Sequence, residues 1–388
     1  MPQKSKRKLI IDVLQTAGLI LACAALIVYP KQSVDAAKSG VELCWNVIVP
    51  SLFPFFVLSA LIISTGVADL LGRFCEKIMR PLFNVSGASS AAFVLGFIGG
   101  YPVGAKTVIT LYNGRKCTKQ EAERLLSFCN NSGPAFIFGV VGAGIFSSGQ
   151  IGLLLYLVHT VSSLLIGVCF RFWGRGREDY REYRVREKAL TGRQRFIPAF
   201  IDAIKTSFSQ TLSICGFVIF FTVLIKMLVV TGAIPKIADV IGTIFGPLGL
   251  SADWSEKLLT GIIEISSGVW TLKDATASIS SSVAMAAFML GWAGLSVHMQ
   301  VLSFIGESGL SVRTYIIGKV SQGVLSAAFI WILTRVIVLD APVAGYLAVQ
   351  VKTLSELSFL RAAQISGLVA AGIFVAVYAG CFALARRK

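Results

Sequence analysis

GFIGGYPVGAKT, residues 96–107, is an apolar run interrupted by two adjacent glycines, a tyrosine and a proline. Proline has no amide hydrogen for a helix interior, and glycine costs about 1 kcal/mol there. The run lies within a longer apolar segment, 85–112, so the spacing predicts a re-entrant hairpin rather than one continuous helix. FCNNSGPAF, residues 128–136, breaks the next apolar segment, 125–146, in the same manner. Backbone released from helical bonding at membrane depth must line protein or a wet cavity, so these two breaks mark a candidate solute site.

The rest of the chain is membrane protein in character. Hydrophobic residues make up 55% of 388, charged residues 14%, and the mean hydropathy is +0.75. Water is not the main solvent of such a chain. Apolar stretches of about 20 residues, enough to cross ~30 Å of hydrocarbon as helix, recur along it. The ten-residue alternation of a barrel is absent from the sequence, so the fold class is an all-α, polytopic transmembrane helical bundle. The net charge of +16 lies mostly between apolar stretches and at the chain ends, a positive-inside pattern and not a nucleic-acid surface. Lys4, Lys6, Arg7 and Lys8 precede a first run, 9–29, that has no small-residue cleavage site and is read as an uncleaved span. Arg386, Arg387 and Lys388 place the other end on the same, cytoplasmic side. The eight cysteines form no CxxC pair, which argues against disulfides and zinc, and no cofactor is implied.

Further spans are expected at 43–65, 151–170, 209–230, 314–337 and 362–384, with an amphipathic interfacial stretch at 67–83 and a polar turn over 113–124. Between 171 and 195 nine basic residues face four acidic ones, a net of +5, which makes that loop cytoplasmic. After it the order repeats: span, interfacial helix at 235–245, interrupted hairpin at 254–276, interrupted segment at 280–305, span. A shift of 164 residues pairs Gly104 with Gly268, Ser132 with Ser296 and Ser162 with Ser326. Topology runs the 43–65 span inward and its partner outward, so the repeats are inverted, an architecture in which solute sites lie where broken helices meet. An apolar stretch at 341–351 is left open between interfacial and spanning.

Candidate binding residues come from the broken clusters. Gly100, Tyr101 and Gly104 shape the first, and Asn130, Asn131 and Ser132 offer directional hydrogen bonds in the second. Lys106 either attracts a carboxylate or snorkels to the interface near Tyr112 and Asn113. In the second half Glu264, Ser266 and Ser267 occupy the matching hairpin. The intramembrane Glu264 is a candidate for ion coupling, or a structural partner of Lys106 or Lys319. Ser296, His298 and Gln300 match the asparagine cluster, His298 as a switchable donor and acceptor or as a satisfied core histidine. His159, isolated on a smooth span, is read as structural. No HExxH, P-loop or nucleophile elbow is present, so the chain is not read as an enzyme.

The strings GGYPVGAK and CNNSGPAF, with GLSVHMQ at 294–300, resemble the YlbJ family of sporulation integral membrane proteins over nearly the whole chain. That family falls within a wider group carrying nucleoside-recognition, or Gate, domains, similar to the core of concentrative nucleoside transporters and to the membrane part of ferrous-iron transporters. The resemblance divides the chain into an N-terminal transmembrane helix and linker (1–40), a first Gate-like repeat (41–170), a basic cytoplasmic loop (171–204), a second, inverted repeat (205–337) and a C-terminal transmembrane segment (338–388). It implies a bacterial membrane protein that moves dipicolinic acid from the mother cell across the outer forespore membrane during sporulation. A nucleoside or other small-solute carrier, or a non-transporting membrane scaffold, is the alternative. The residues alone support only a small polar or anionic solute. The lipid bilayer is the other partner, a proton or sodium ion is the expected coupling ion, and the chain is compatible with a homo-oligomer.

Overall fold

Proline sets the first bend. In the computed structural model, which describes residues 2–64, 77–174, 196–273, 278–306 and 308–336, α1 (Pro2–Val28) stops just before Pro30, and the helix that Pro30 opens leaves at 99°. That helix, α2 (Pro30–Leu43), passes through a π-helical turn, Cys44–Ile48, into α3 (Val49–Ser64). The expected span at 43–65 is therefore the second part of a longer helical stretch. Of the expected interfacial stretch, 77–83 is helical and 65–76 lies outside the described residues.

The first broken pair is α4 (Ser90–Ile98) and α5 (Val103–Asn113), separated by the turn at 99–102. The polar turn expected over 113–124 shrinks to 114–118, because Thr118 and Glu121 form a capping box that starts α6 (Lys119–Phe128). The Glu121 N–H donates to Thr118 Oγ1 (3.2 Å) and the Thr118 N–H to Glu121 Oε2 (2.8 Å), satisfying two otherwise orphaned amides. After the second break comes α7 (Ala135–Ile145), wound throughout as a π-helix, then α8 (Gly149–Phe170), whose first turn is capped by Ser148. The second half holds α9 (Phe196–Val230), α10 (Ala233–Phe245), α11 (Ala252–Ile263), α12 (Ile265–Trp270), α13 (Ile279–Trp292), α14 (Leu295–Gly306) and α15 (Val312–Leu333). Residues 196–204, assigned from sequence to the basic loop, form the first turns of α9.

Element by element the halves correspond: α4 and α5 with α11 and α12, α6 with α13, α7 with α14, α8 with α15. The result is an all-helical bundle of two inverted repeats built from hairpins and broken helices. By length and hydropathy α8, α9, α15 and the interrupted α13–α14 stretch, 279–306, can each cross a membrane, as can the kinked 15–48 stretch. The C-terminal unit, 340–388, contains the expected stretches 341–351 and 362–384 and lies outside the described residues, as does most of the basic loop.

Packing follows the logic of a lipid solvent. Over the first turns of α9 the buried stripe is Ala199, Ala203, Ser207, Thr211 and Cys215, small or polar at helical spacing, and it continues as Val218, Phe221, Ile225 and Met227, whereas Phe196, Phe200, Phe208 and Phe220 are exposed. In those first turns small inward residues let helix backbones approach while the phenylalanines face outward. The halves interlock: α6 packs on α15, and α8 on both α13 and α15. At Gly318 a Cβ would overlap the Ser127 backbone, so only glycine allows that α6–α15 approach. Two charged side chains tie the ends. Arg124 is fully buried, donating through Nε (2.8 Å) and Nη2 (2.6 Å) to the Trp173 carbonyl and through Nη1 to that of Asn84 (2.5 Å). Glu123 accepts from the Ser311 N–H (3.0 Å) and from Trp173 Nε1 (3.3 Å), linking the end of α8 to the start of α15.

Candidate functional site

Each chain break frees backbone groups, and side chains from the other breaks take them up. Ala293 and Gly294 adopt positive φ (81° and 84°), which ends α13 and strips the Leu290 carbonyl of its helical donor. That carbonyl accepts instead from Tyr101 Oη (3.0 Å) and Ser132 Oγ (3.4 Å), one residue from each first-half break. Within the second half Trp292 Nε1 donates to the Ile262 carbonyl at the end of α11 (3.0 Å). Within the first half Asn130 Oδ1 accepts from the Ala105 N–H in the opening turn of α5 (3.3 Å). The two breaks touch at Gly100 and Gly133: a Cβ on Gly100, whose φ is +70°, would come within 2.9 Å of the Gly133 nitrogen.

Between the four breaks lies a cleft with ≈ 650 Å³ of space between its walls, counting the part open to solvent. Its polar wall is Gly100, Tyr101, Ser132, Glu264, Ser266, Ser296 and Gln300, seven of the residues expected from the sequence. Phe56 and Phe136, with Ile214, Phe217 and Val218 of α9, supply the apolar remainder. Few directional groups in a mostly apolar concavity is the usual make-up of a small-molecule site.

Glu264 stands in the break between α11 and α12, buried, with Oε1 accepting from the Ser266 N–H (3.0 Å) and Oε2 from the Ser267 N–H (2.6 Å). It is therefore the N-cap of α12. Among the described residues it forms no ion pair with Lys106 or Lys319, the structural partners considered from sequence. Ser267 turns away to Thr222 (Oγ to Oγ1, 3.1 Å) and lines a second cleft with Glu42, Asn46 and Trp270. The single turn 264–267 thus separates two clefts.

The other expected residues stand back from the wall. Gly104 packs its backbone against the Cys129 carbonyl, and Lys106 is exposed, its side chain directed away from the buried face of α5. Asn130 and Asn131 are buried one layer behind Ser132. His298 donates to or accepts from Tyr315 Oη through Nδ1 (2.8 Å) and meets the Trp292 ring edge-on at 4.3 Å between centroids.

Behind Ser132 lies a polar layer that sequence reading did not assemble. Lys319 Nζ donates to the Asn130 carbonyl (2.8 Å) and to Gln322 Oε1 (2.7 Å), and Gln322 Nε2 donates to Asn131 Oδ1 (2.9 Å) and the His159 carbonyl (3.3 Å). His159, expected to be an isolated structural residue, accepts from the Ser132 N–H through Nε2 (3.2 Å). The sequence carried one signal for this layer: Tyr315, Gly318, Lys319, Gln322, Gly323 and Ser326 form a small and polar stripe at helical spacing, the inward face of a membrane helix.

Residues 45–175 match the Gate family model, described as nucleoside recognition. The sporulation integral membrane protein YlbJ of Bacillus subtilis (strain 168) is 31% identical over 349 residues, covering 84% of this chain and 83% of that protein. An uncharacterized protein of Alkalihalophilus pseudofirmus is 27% identical over 160 residues, 40% of this chain and 34% of its own. Among solved structures, the concentrative nucleoside transporter CNTnw in an intermediate state gives a TM-score of 0.57 at 14% identity, over 86% of this chain and 88% of that one. Its inward-facing, substrate-bound state gives 0.53 at 15% identity, over 84% and 87%. At such identities the likeness is one of fold.

Proposed function

Because the chain belongs to the family of the sporulation integral membrane protein YlbJ, we propose that it is a membrane carrier of a small anionic solute, dipicolinate, moved from the mother cell across the outer forespore membrane during sporulation. The observation that carries this reading is the meeting of four chain breaks, two from each repeat, on one cleft. Unwound segments at a repeat interface give backbone and side-chain donors without lipid exposure, and rocking one part of the bundle exposes such a site alternately to each side. Dipicolinate is a planar pyridine bearing two carboxylates. Ser296 and Gln300 supply side-chain hydrogen-bond donors for the carboxylates, and Tyr101, Phe56 and Phe136 supply ring surfaces. A proton or sodium ion drives the cycle, with Glu264 as the acid on the wall, and both termini face the cytoplasm.

Full-length protein in proteoliposomes tests the proposal. Saturable flux of labelled dipicolinate, with little flux of uridine, is expected. Saturable uridine flux without dipicolinate flux replaces the substrate and keeps the carrier. Absence of any solute flux, with normal dipicolinate accumulation in spores carrying Asn131→Ala and Glu264→Ala, makes the chain a membrane scaffold.

A further inference from the structure

Among its lining residues the cleft has one acid, Glu264, and no base, yet a lysine, Lys319, lies against the back of its Tyr101 wall. Lys319 has no exposed surface and sits on α15, a helix with the length and hydropathy of a span. Its Nζ donates to the Asn130 carbonyl and to Gln322 Oε1, and it stands 4.9 Å from the centroid of the Tyr101 ring. An ammonium has three donors and no acceptor, and a carbonyl, an amide oxygen and an aromatic face together suit all three. None of these groups is an anion. Among the described residues Lys319 has no carboxylate within ion-pair distance. His159 nearby accepts a backbone N–H through Nε2 and so carries no proton on that nitrogen. A desolvated charge with hydrogen bonds but no countercharge is costly to keep inside a membrane helix, and marks a functional position.

Tyr101, whose ring lies against this ammonium, and Ser132, two residues along from its Asn130 acceptor, both form the cleft wall, and both are held by the Leu290 carbonyl. A solute carboxylate resting against them is separated from the buried Lys319 by the Tyr101 ring, across which its field acts. The carboxylate of Glu264, by contrast, has both oxygens turned to the Ser266 and Ser267 amides. We propose that Lys319 is the fixed countercharge of the transported anion, acting through the Tyr101–Ser132 wall to favour a carboxylate-bearing solute over a neutral one of the same shape. The inference rests on the carrier function proposed above and adds to it the determinant of charge selectivity. Lys319 is a positioning charge and does not touch the solute.

The test is calorimetric binding to the full-length protein in detergent, with dipicolinate and with its neutral isostere pyridine-2,6-dicarboxamide. The wild type is expected to prefer the dianion. Lys319→Gln is expected to weaken dipicolinate binding by about tenfold or more while leaving diamide binding within about twofold, and Lys319→Arg to keep the preference. A lysine that served only to hold α15 in place would move both ligands together. An unchanged dipicolinate-to-diamide ratio in Lys319→Gln overturns the inference, while wild-type dipicolinate flux leaves the carrier reading standing. If Lys319→Gln fails to fold, the wild type still decides: a diamide that binds as tightly as dipicolinate overturns it. A wild type that neither binds nor moves any anion sinks the carrier reading and the inference together.

Discussion

Replacing Glu264 tests the thin partition between the two clefts. Its carboxylate accepts two backbone N–H groups, at 3.0 and 2.6 Å, inside a buried turn. Hydrogen bonds to a charged group contribute about 1.5–3 kcal/mol each. Glu264→Gln keeps one oxygen acceptor, now neutral, and sets an NH₂ against the other amide, so the loss is about 2–3 kcal/mol. Glu264→Ala removes both acceptors and leaves two buried donors unpaired, about 3–6 kcal/mol. The loss falls on α12, which has only six residues and little helical bonding of its own to fall back on. The consequence is local opening of the turn rather than unfolding of the bundle. Hydrogen exchange resolved to the Ser266 and Ser267 amides measures it directly. Protection is expected to fall roughly 30- to 150-fold in Glu264→Gln, at 1.4 kcal/mol per tenfold, and further in Glu264→Ala. Protection of both amides unchanged within about threefold in both variants would refute the capping role.

Three further outcomes follow from the same geometry. Lys106→Ala removes an exposed side chain that does not reach the cleft, so dipicolinate flux in proteoliposomes should stay within about twofold of wild type, as for ordinary exposed positions; a loss of flux would restore Lys106 as the anion's partner. Gly104→Ala drives a Cβ into the Cys129 carbonyl and should lower stability by about 1–3 kcal/mol, read as a reduced melting temperature in detergent. Tyr101→Phe deprives the Leu290 carbonyl of its shorter hydrogen bond and should cost about 1 kcal/mol, more than Ser132→Ala, whose bond is 3.4 Å long; the reverse order of melting temperatures would contradict the bond assignment.

The breaks were legible because glycine, proline and asparagine inside apolar segments have a direct physical meaning. The repeat was legible for a related reason: Ser132 and Ser296, matched by a fixed shift, do line the same cleft. Which lysine points inward was not. Lys106 stands four residues beyond Pro102, which in sequence places it beside the break. On α5 the buried face is Val103, Gly104, Ala105, Val108 and Ile109, and that helical phase turns position 106 outward. Lys319 is far from every break along the chain and reaches Asn130 only because α15 of one half crosses α6 and α8 of the other. Long-range pairing of this kind leaves no local trace beyond the polar stripe on α15. The start of α6 was hidden for a different reason: its polar residues resemble a loop until the Thr118 and Glu121 side chains are recognised as a reciprocal cap.

The Glu123 carboxylate bears on how such a molecule can move. One oxygen holds the amide that opens α15, the other the indole that follows α8, and so the two longest unbroken helices that flank the polar layer are bolted at one end to a common rivet. While those bonds persist the joined ends of α8 and α15 move together, and α9 with Ile214, Phe217 and Val218 and α3 with Phe56 form the part of the cleft wall outside that joint. The lysine and its two asparagines then sit beside the joined helices, and the aromatic side of the cleft beside α9 and α3.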